Sequence, residues 1–434
     1  MTGEIFDLPA GPVGFAVGYE HRYQEASFDP DPITAAGLSS DIPALPARGS
    51  YNSDEFYGEL RVPLLKETPF FYSLEFNGAV RRASFSRSGS TTTYTASGIW
   101  KPVEDLLFRG SYATGFRAPA IGELFGAASR ADAPIDDPCS NVAGSPFFTN
   151  VAGVRANCIA NGVPADGSYN EPNGGQLSVL TGGNLKLRPE TSKTLLFGGV
   201  YSPRWARGGA LRQLNLELNY YDIRVDNAIA PVDAQLTLTR CVLSADPLSC
   251  GAISRTPNGL IARIDAQLQN IGSIRTRGID VIANVRSRAS AAGAFGLTVN
   301  GNFLKKYTET FPAAVGFTTT DYLGKTRGFP DQSYPKFKGN GTLDWALDTF
   351  SASFTGRYIA AVREADGKRL KSTFYGDVQL GRSFLDRRVQ FTLGVNNVFN
   401  QDPPACFSCT GPNYDPTTYD VPGQFGYIRL SYKL

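Results

Sequence analysis

The side chains best equipped for chemistry in this 434-residue chain are six cysteines, which fall as three sequence neighbours: Cys139 with Cys158, Cys241 with Cys250, and Cys406 with Cys409. Each pair sits in a polar, turn-rich stretch, and nearest-neighbour pairing gives three intraloop disulfides of the kind formed in an oxidising compartment. Other uses of these thiols are weaker. A zinc site wants histidine or further cysteine close by, and the single histidine, His21, is remote. The run Cys406-Phe407-Ser408-Cys409 has the spacing of a redox motif without the βαβ pattern that would surround one. Acidic groups at Asp29 with Asp31, and at Asp132 with Asp136 and Asp137, lack the spaced ligands and glycine of an EF-hand loop and read as solvated turns. With His21 alone and no G-x-S-x-G elbow, a serine hydrolase has no constellation to use. No G-x-x-x-x-G-K-[ST] phosphate loop is present. A carboxylate-based hydrolase needs no fixed spacing and stays open, but no catalytic, cofactor or metal site is expected.

Composition says what must hold such loops. Lys+Arg number 42 against 40 Asp+Glu, a net charge of +2 that offers no basic field for nucleic acid. Gly (46) and aromatic residues (12%) are plentiful, which favours strands over helices. No apolar run approaches the roughly 18–20 residues of a membrane-spanning helix. Mean hydropathy is −0.19, a value that alternating barrel strands also give because their two faces average out. The start, MTGEIFDLPAGPVG, has no basic region followed by an apolar core, so no signal peptide is expected within it.

Alternation recurs in segments of about ten residues, the length a tilted strand needs to cross a bilayer core. Leu214, Leu216, Leu218 and Tyr220 oppose Asn215, Glu217, Asn219 and Tyr221, and Val389, Phe391, Leu393 and Val395 oppose Gln390, Thr392, Gly394 and Asn396. At the carboxy-terminus Ile428, Leu430, Tyr432 and Leu434 form one apolar face with no polar tail behind it. Fourteen strands are expected, near 12–23, 54–64, 69–84, 92–101, 105–117, 191–202, 211–226, 274–286, 295–309, 335–346, 349–362, 372–384, 388–398 and 424–434. An even count would place both chain ends on one side.

Connection lengths separate a membrane barrel from a soluble sandwich. Short links such as 101–105, 346–349 and 385–388 alternate with long polar ones at 24–53, 118–190, 227–273, 310–334 and 399–423. Short turns on one side with long loops on the other is the pattern of outer-membrane barrels, and no fixed repeat points to a solenoid or propeller. The expected fold is all-β, a transmembrane antiparallel barrel in the outer membrane of a Gram-negative cell. All six cysteines then lie in outer loops.

Several stretches resemble the barrel of TonB-dependent receptors, the energised outer-membrane transporters. They are Gly115–Phe125 (GFRAPAIGELF), Asn184–Lys193 (NLKLRPETSK, with Leu187 and Arg188 inserted before Pro189), Tyr220–Ile229 (YYDIRVDNAI), Asn270–Val281 (NIGSIRTRGIDV) and Val395–Asn400 (VNNVFN). The resemblance covers essentially the whole chain. It implies a twenty-two-stranded barrel of which residues 1–434 are the carboxy-terminal portion, with the signal peptide, TonB box and plug domain absent. On that reading the strand near 12–23 is an edge that lacks its partner. The resemblance also implies TonB-driven uptake of a scarce small ligand such as a siderophore, vitamin or oligosaccharide, with TonB contacting the protein only through the plug region. A passive barrel and an inactive truncated product are the alternatives.

Ligand capture in such a receptor belongs to aromatic and charged residues at the outer strand ends: Arg117, Glu123, Phe125, Tyr322 and Lys325, with Tyr307 and Arg363 beside them. Ile428, Leu430, Tyr432 and Leu434 stand where the family carries its signal to the barrel-assembly machinery, although an aromatic residue usually ends it. Arg109, Glu217, Lys336, Lys338, Asp344, Arg357 and Asp377 fall on the wet face, where pairing with one another or with a plug is the plain reading and a transport role the sharper one.

Overall fold

Period-two alternation makes a strand two-faced, and a single sheet of such strands can separate lipid from water without a packed core. In the computed structural model, which describes residues 1–39, 45–171, 175–328, 331–386, 388–409 and 413–433, this is the arrangement found. Fifteen strands follow one another in chain order, each antiparallel to the next: Thr2–Leu8, Gly11–Phe28, Ala47–Thr68, Phe71–Phe85, Gly89–Val103, Leu106–Arg117, Glu190–Tyr201, Leu211–Pro231, Leu268–Ser287, Ala294–Pro312, Phe337–Leu347, Phe350–Ile359, Thr373–Phe384, Val389–Asn396 and Phe425–Tyr432. A sixteenth, Phe317–Asp321, pairs with the outer end of Ala294–Pro312.

All fourteen expected strands are present, and Thr2–Leu8 is additional. Its pairing with Gly11–Phe28 slips between Glu4 and Asp7, a bulge that sets Ile5 and Phe6 side by side and erases the alternation by which a strand is recognised. Two expectations change with it. The strand beginning at Gly11 has a partner along its inner half, so the sheet edge is Thr2–Leu8. The count along the path is odd, which places Thr2 and Tyr432 at opposite ends of the strands. Among the described residues the two edge strands do not pair with each other.

Direct partners share a face. Tyr220 lies opposite Phe197 and Ile279, Ile279 opposite Phe303, and Phe303 opposite Phe337, a row of exposed and half-exposed apolar residues on the lipid side. Tyr427 lies opposite Gly394, where any Cβ would strike its ring, the pairing of an aromatic over a strand glycine that fixes register.

Several strands are longer than a crossing requires. Ala47–Thr68 has 22 residues, Leu211–Pro231 has 21 and Leu268–Ser287 has 20. At about 3.3 Å per residue they overreach a hydrocarbon core of about 30 Å even when tilted, so their outer ends stand clear of the lipid. Inner connections are mostly two to four residues; the exceptions are 202–210 and 288–293. Outer ones are long, except the three residues 86–88.

The buried apolar clusters lie in the outer loops and at the outer strand ends that meet them. Residues 118–189 and 232–267 fold together into a first cap, whose sheet runs Ile253–Arg255, Ile261–Asp265, Gly175–Thr181, Ser129–Ile135. Leu238 and Ile264 are fully buried beneath it. Residues 313–336, 360–372 and 397–424 interlock as a second cap. There Ser408 donates its N–H to Glu364 at 2.7 Å, and Ser333 donates its own to the Thr418 hydroxyl at 3.4 Å.

Candidate functional site

Arg117 ends its strand with a guanidinium that grips two carboxylates at once. Its nitrogens lie 2.8 and 3.0 Å from the Glu123 oxygens and 2.7 and 2.9 Å from those of Glu190. Glu123 accepts the Ala120 N–H at 2.7 Å, opening the short helix Ile121–Phe125, and Glu190 accepts that of Ile229 at 2.8 Å. A planar five-donor fork suits this double bidentate role where lysine would not.

The neighbouring motif tightens the same joint. The Asn184 amide donates to the Leu268 carbonyl at 2.8 Å, while the Asn270 side chain accepts from Arg188 N–H (2.9 Å) and donates to its carbonyl (2.8 Å). The inserted Leu187 is buried with Tyr51, Phe85 and Leu124. Phe125 packs against this cluster with its ring flush on Gly49. Arg117, Glu123 and Phe125 are thus gathered into a pin at the foot of the first cap, and their polar groups are engaged within the fold.

Tyr322 and Lys325 lie in the second cap. Tyr307 stacks on Tyr334 with ring centroids 3.9 Å apart, and Tyr322 tilts against Tyr334 at 5.7 Å. Burial raises the phenol pKa of Tyr322 and Tyr334. Beside them Arg327 meets the buried Glu309 at 2.8 Å. Lys325 bridges through its backbone to Arg363 in the next loop, and Arg363 lies opposite Arg369 in a short hairpin. Thr326, Val362 and Leu370 turn inward, leaving Lys325, Arg363 and Arg369 together on the exposed side. Arg369 was not foreseen, because loop-to-loop pairing leaves no local pattern.

One expectation is overturned at the first cap. Asp137, read as part of a solvated turn, is fully buried and pairs with Arg255 of the other loop at 2.7 and 3.2 Å. The Tyr169 hydroxyl donates to the same carboxylate at 2.6 Å, and the Cys139 N–H donates at 2.9 Å. Burial raises the Tyr169 phenol pKa, with the Asp137 charge adding to the shift. Asp29 pairs with Arg48 at 3.0 Å, and Asp31 caps the helix Pro32–Ala35. The described residues contain no cluster of three or more potential metal ligands.

The cysteines form the three expected disulfides, Cys139–Cys158 and Cys241–Cys250 in the first cap and Cys406–Cys409 in the second. On the wet face Arg109 pairs with Glu217, and Arg357 reaches Asp377 at 3.2 Å and Asp420 at 2.6 Å. Arg286 lies 3.7 Å from Asp344. On the last strand Ile428, Leu430 and Tyr432 are exposed, opposite Leu393, Phe391 and Val389. Leu434 lies outside the described residues.

The family profile of TonB-dependent receptor-like β-barrels matches residues 2–398. The chain belongs to the TonB-dependent receptor family. It is therefore an outer-membrane β-barrel chain of a transporter family rather than an enzyme family. No curated protein sequence matches it. Solved structures do, at identities that speak for the fold alone. The siderophore receptor PirA from Acinetobacter baumannii is 16% identical with a TM-score of 0.58, over 99% of this chain and 53% of that one. A mutant of the ferric enterobactin receptor PfeA from Pseudomonas aeruginosa, in complex with enterobactin, is 14% identical with a TM-score of 0.61, over 99% and 53%. The RagAB peptide transporter is 12% identical with a TM-score of 0.52, over 92% and 50%. The chain spans about half the length of the structures it matches. In this receptor barrel two of the five stretches that carry the resemblance, 115–125 and 184–193, build the Arg117 pin.

Proposed function

We propose that this chain forms the wall and extracellular mouth of a receptor that takes up a scarce, negatively charged small ligand, with energy drawn from TonB. Residues 1–434 would be the carboxy-terminal portion of the barrel domain. The observation that carries the ligand class is the exposed triplet Lys325, Arg363 and Arg369, contributed by two loops beside the Tyr307–Tyr322–Tyr334 group. A cluster of one sign at an entrance draws anions from dilute solution, and the half-buried Tyr322 ring beside it, held in place by the buried Tyr334, adds contact area with few rotamers to freeze. A siderophore combines anionic oxygen donors with aromatic or planar groups and fits this better than a neutral oligosaccharide. Two of the matched structures are described as a siderophore receptor and a ferric enterobactin receptor, which supports the same choice.

Uptake tests it directly. Radiolabelled iron supplied as a panel of ferric siderophores should accumulate in cells that carry the gene. Accumulation should stop on gene deletion and on collapse of the proton gradient. If deletion leaves uptake of every siderophore unchanged while uptake of a vitamin or oligosaccharide falls, the ligand class is wrong.

A further inference from the structure

Of the seven side-chain oxygens that are buried without a hydrogen-bond partner among the described residues, four belong to one joint of the second cap: Asp415 Oδ2, Ser333 Oγ, Tyr419 Oη and Tyr375 Oη. They come from separate segments. Ser333 lies in the loop 313–336, Asp415 and Tyr419 lie in the loop 397–424, and Tyr375, at the outer end of Thr373–Phe384, packs against Tyr419. The Ser333 hydroxyl faces the Asp415 carboxyl and the Tyr419 phenol alike. Asp415 is fully buried, and Ser333 and Tyr419 are 3% and 2% exposed.

The turn that follows Asp415 satisfies one carboxylate oxygen and not the other. Thr417 donates both its N–H (2.9 Å) and its hydroxyl (2.7 Å) to Oδ1, while the N–H groups of Thr418 and Tyr419 go to the Asp415 carbonyl at 3.4 and 3.2 Å. Oδ2 receives none of them. Burial pushes the Asp415 pKa up, but the hydroxyls of Thr417, Ser333 and Thr418 bring it below the ordinary carboxylate value, so the group keeps its charge. A charge taken out of water needs a partner of opposite sign or a metal ion. Among the described residues Asp415 has no ion pair: nearby in this region Arg327 is engaged by Glu309, Arg357 by Asp377 and Asp420, and Lys368 by Asp366.

Donor type and charge choose the ion. Every donor is an oxygen, which suits a hard cation, and a hydroxyl can turn its hydrogen away and offer a lone pair. One carboxylate among neutral hydroxyls balances a single positive charge. A calcium ion would leave a net charge buried, and magnesium keeps several waters for which a closed site has no room. We infer that Asp415, Ser333 and Tyr419 bind a sodium ion that joins the loops 313–336 and 397–424. A water molecule there would meet the hydrogen bonds but not the charge. Tyr334 follows Ser333 directly, so the ion also fixes the ring on which Tyr307 and Tyr322 lean. The site stands whatever ligand the mouth takes.

The test uses the protein purified from outer membranes at its natural length, in detergent, with sodium chloride, choline chloride and calcium chloride as probes at one ionic strength. Chymotryptic cleavage within 397–424 should be at least about fivefold slower in about 150 mM sodium than in choline, while cleavage in the first cap, read from the same digest, should not differ. D415N should abolish the difference. S333A, which keeps the main-chain bond to Thr418, should raise the sodium concentration needed several-fold with heat-modifiable migration unchanged, a readout that holds even where D415N loosens the loop outright. D366N, at an exposed pair in the same cap, should behave as the parent. Equal cleavage in sodium and choline, an equal sodium effect on both caps, or a sodium effect that survives D415N and S333A overturns the assignment. Protection given by calcium and not by sodium would overturn the charge argument, and the sodium site with it.

Discussion

Asp137 and Arg255 stand 118 residues apart in sequence, in different loops, and meet in a buried two-point ion pair at 2.7 and 3.2 Å. With Tyr169 donating to the same carboxylate, they join the loops 118–189 and 232–267 into one body. Removing one partner strands the other as an uncompensated buried charge, which costs about 3–5 kcal/mol. Asp137→Ala should therefore open the first cap to limited proteolysis while the barrel keeps its heat-modifiable migration. An apolar replacement of both partners should recover most of the protection.

The pH response of that cap follows from Tyr169. Its folded pKa is raised above the ordinary value of 10.0 by burial and by the Asp137 charge. A raised pKa means the neutral phenol is the form the fold holds, so its contribution is complete below the unfolded pKa and is lost as pH climbs beyond it. Tyrosinate absorbance should show Tyr169 ionising only together with loss of cap protection, above pH 10. Tyr169→Phe should remove the phenol's part in the alkaline opening and, because it deprives the buried Asp137 carboxylate of a hydrogen bond, should also loosen the cap at neutral pH.

Disulfides restrain the same loops. Peptide mapping without reduction should recover Cys139–Cys158, Cys241–Cys250 and Cys406–Cys409, and six free thiols in exported protein would contradict the assignment. Removing the 19-residue link Cys139–Cys158 should cost the first cap about 3 kcal/mol.

At the second cap, Lys325→Gln with Arg363→Gln should lower ligand uptake at least about tenfold and weaken its dependence on ionic strength, because both effects arise from the same local field.

Charge on the lipid face has a depth-dependent penalty. Leu393→Arg, opposite Ile428 on the last strand, should cost about 2–4 kcal/mol if it sits near the bilayer midplane, read as a lower urea midpoint for the assembled barrel. Thr392→Arg, on the wet face, should cost far less.

The wall was legible in the sequence and the mouth was not. Leu214 to Tyr220 and Val389 to Val395 announce their strands because one face meets lipid over their whole length, so alternation is enforced residue by residue. Thr2–Leu8 escaped because its bulge brings Ile5 and Phe6 together. The cysteines paired as expected because separations of 19, 9 and 3 keep each pair within one loop. Asp137 with Arg255, and Lys325 with Arg363 and Arg369, depend on how separate loops fold against each other. Nothing in their spacing encodes that. Arg117 and Glu123 were found as residues but not as a pin, since a motif shows which side chains are used and not whether the fold has already engaged them.

The claim that the capped end is the extracellular mouth is open to one direct measurement. The described residues include no free cysteine, so a single introduced thiol can be read against a silent background. Ala314→Cys, in the loop 313–336, and Ala292→Cys, in the inner link 288–293, should be exposed to intact cells with a membrane-impermeant maleimide. The account predicts labelling at position 314 in intact cells, and at position 292 only after the outer membrane is permeabilised. Labelling at 292 but not 314 in intact cells would contradict it.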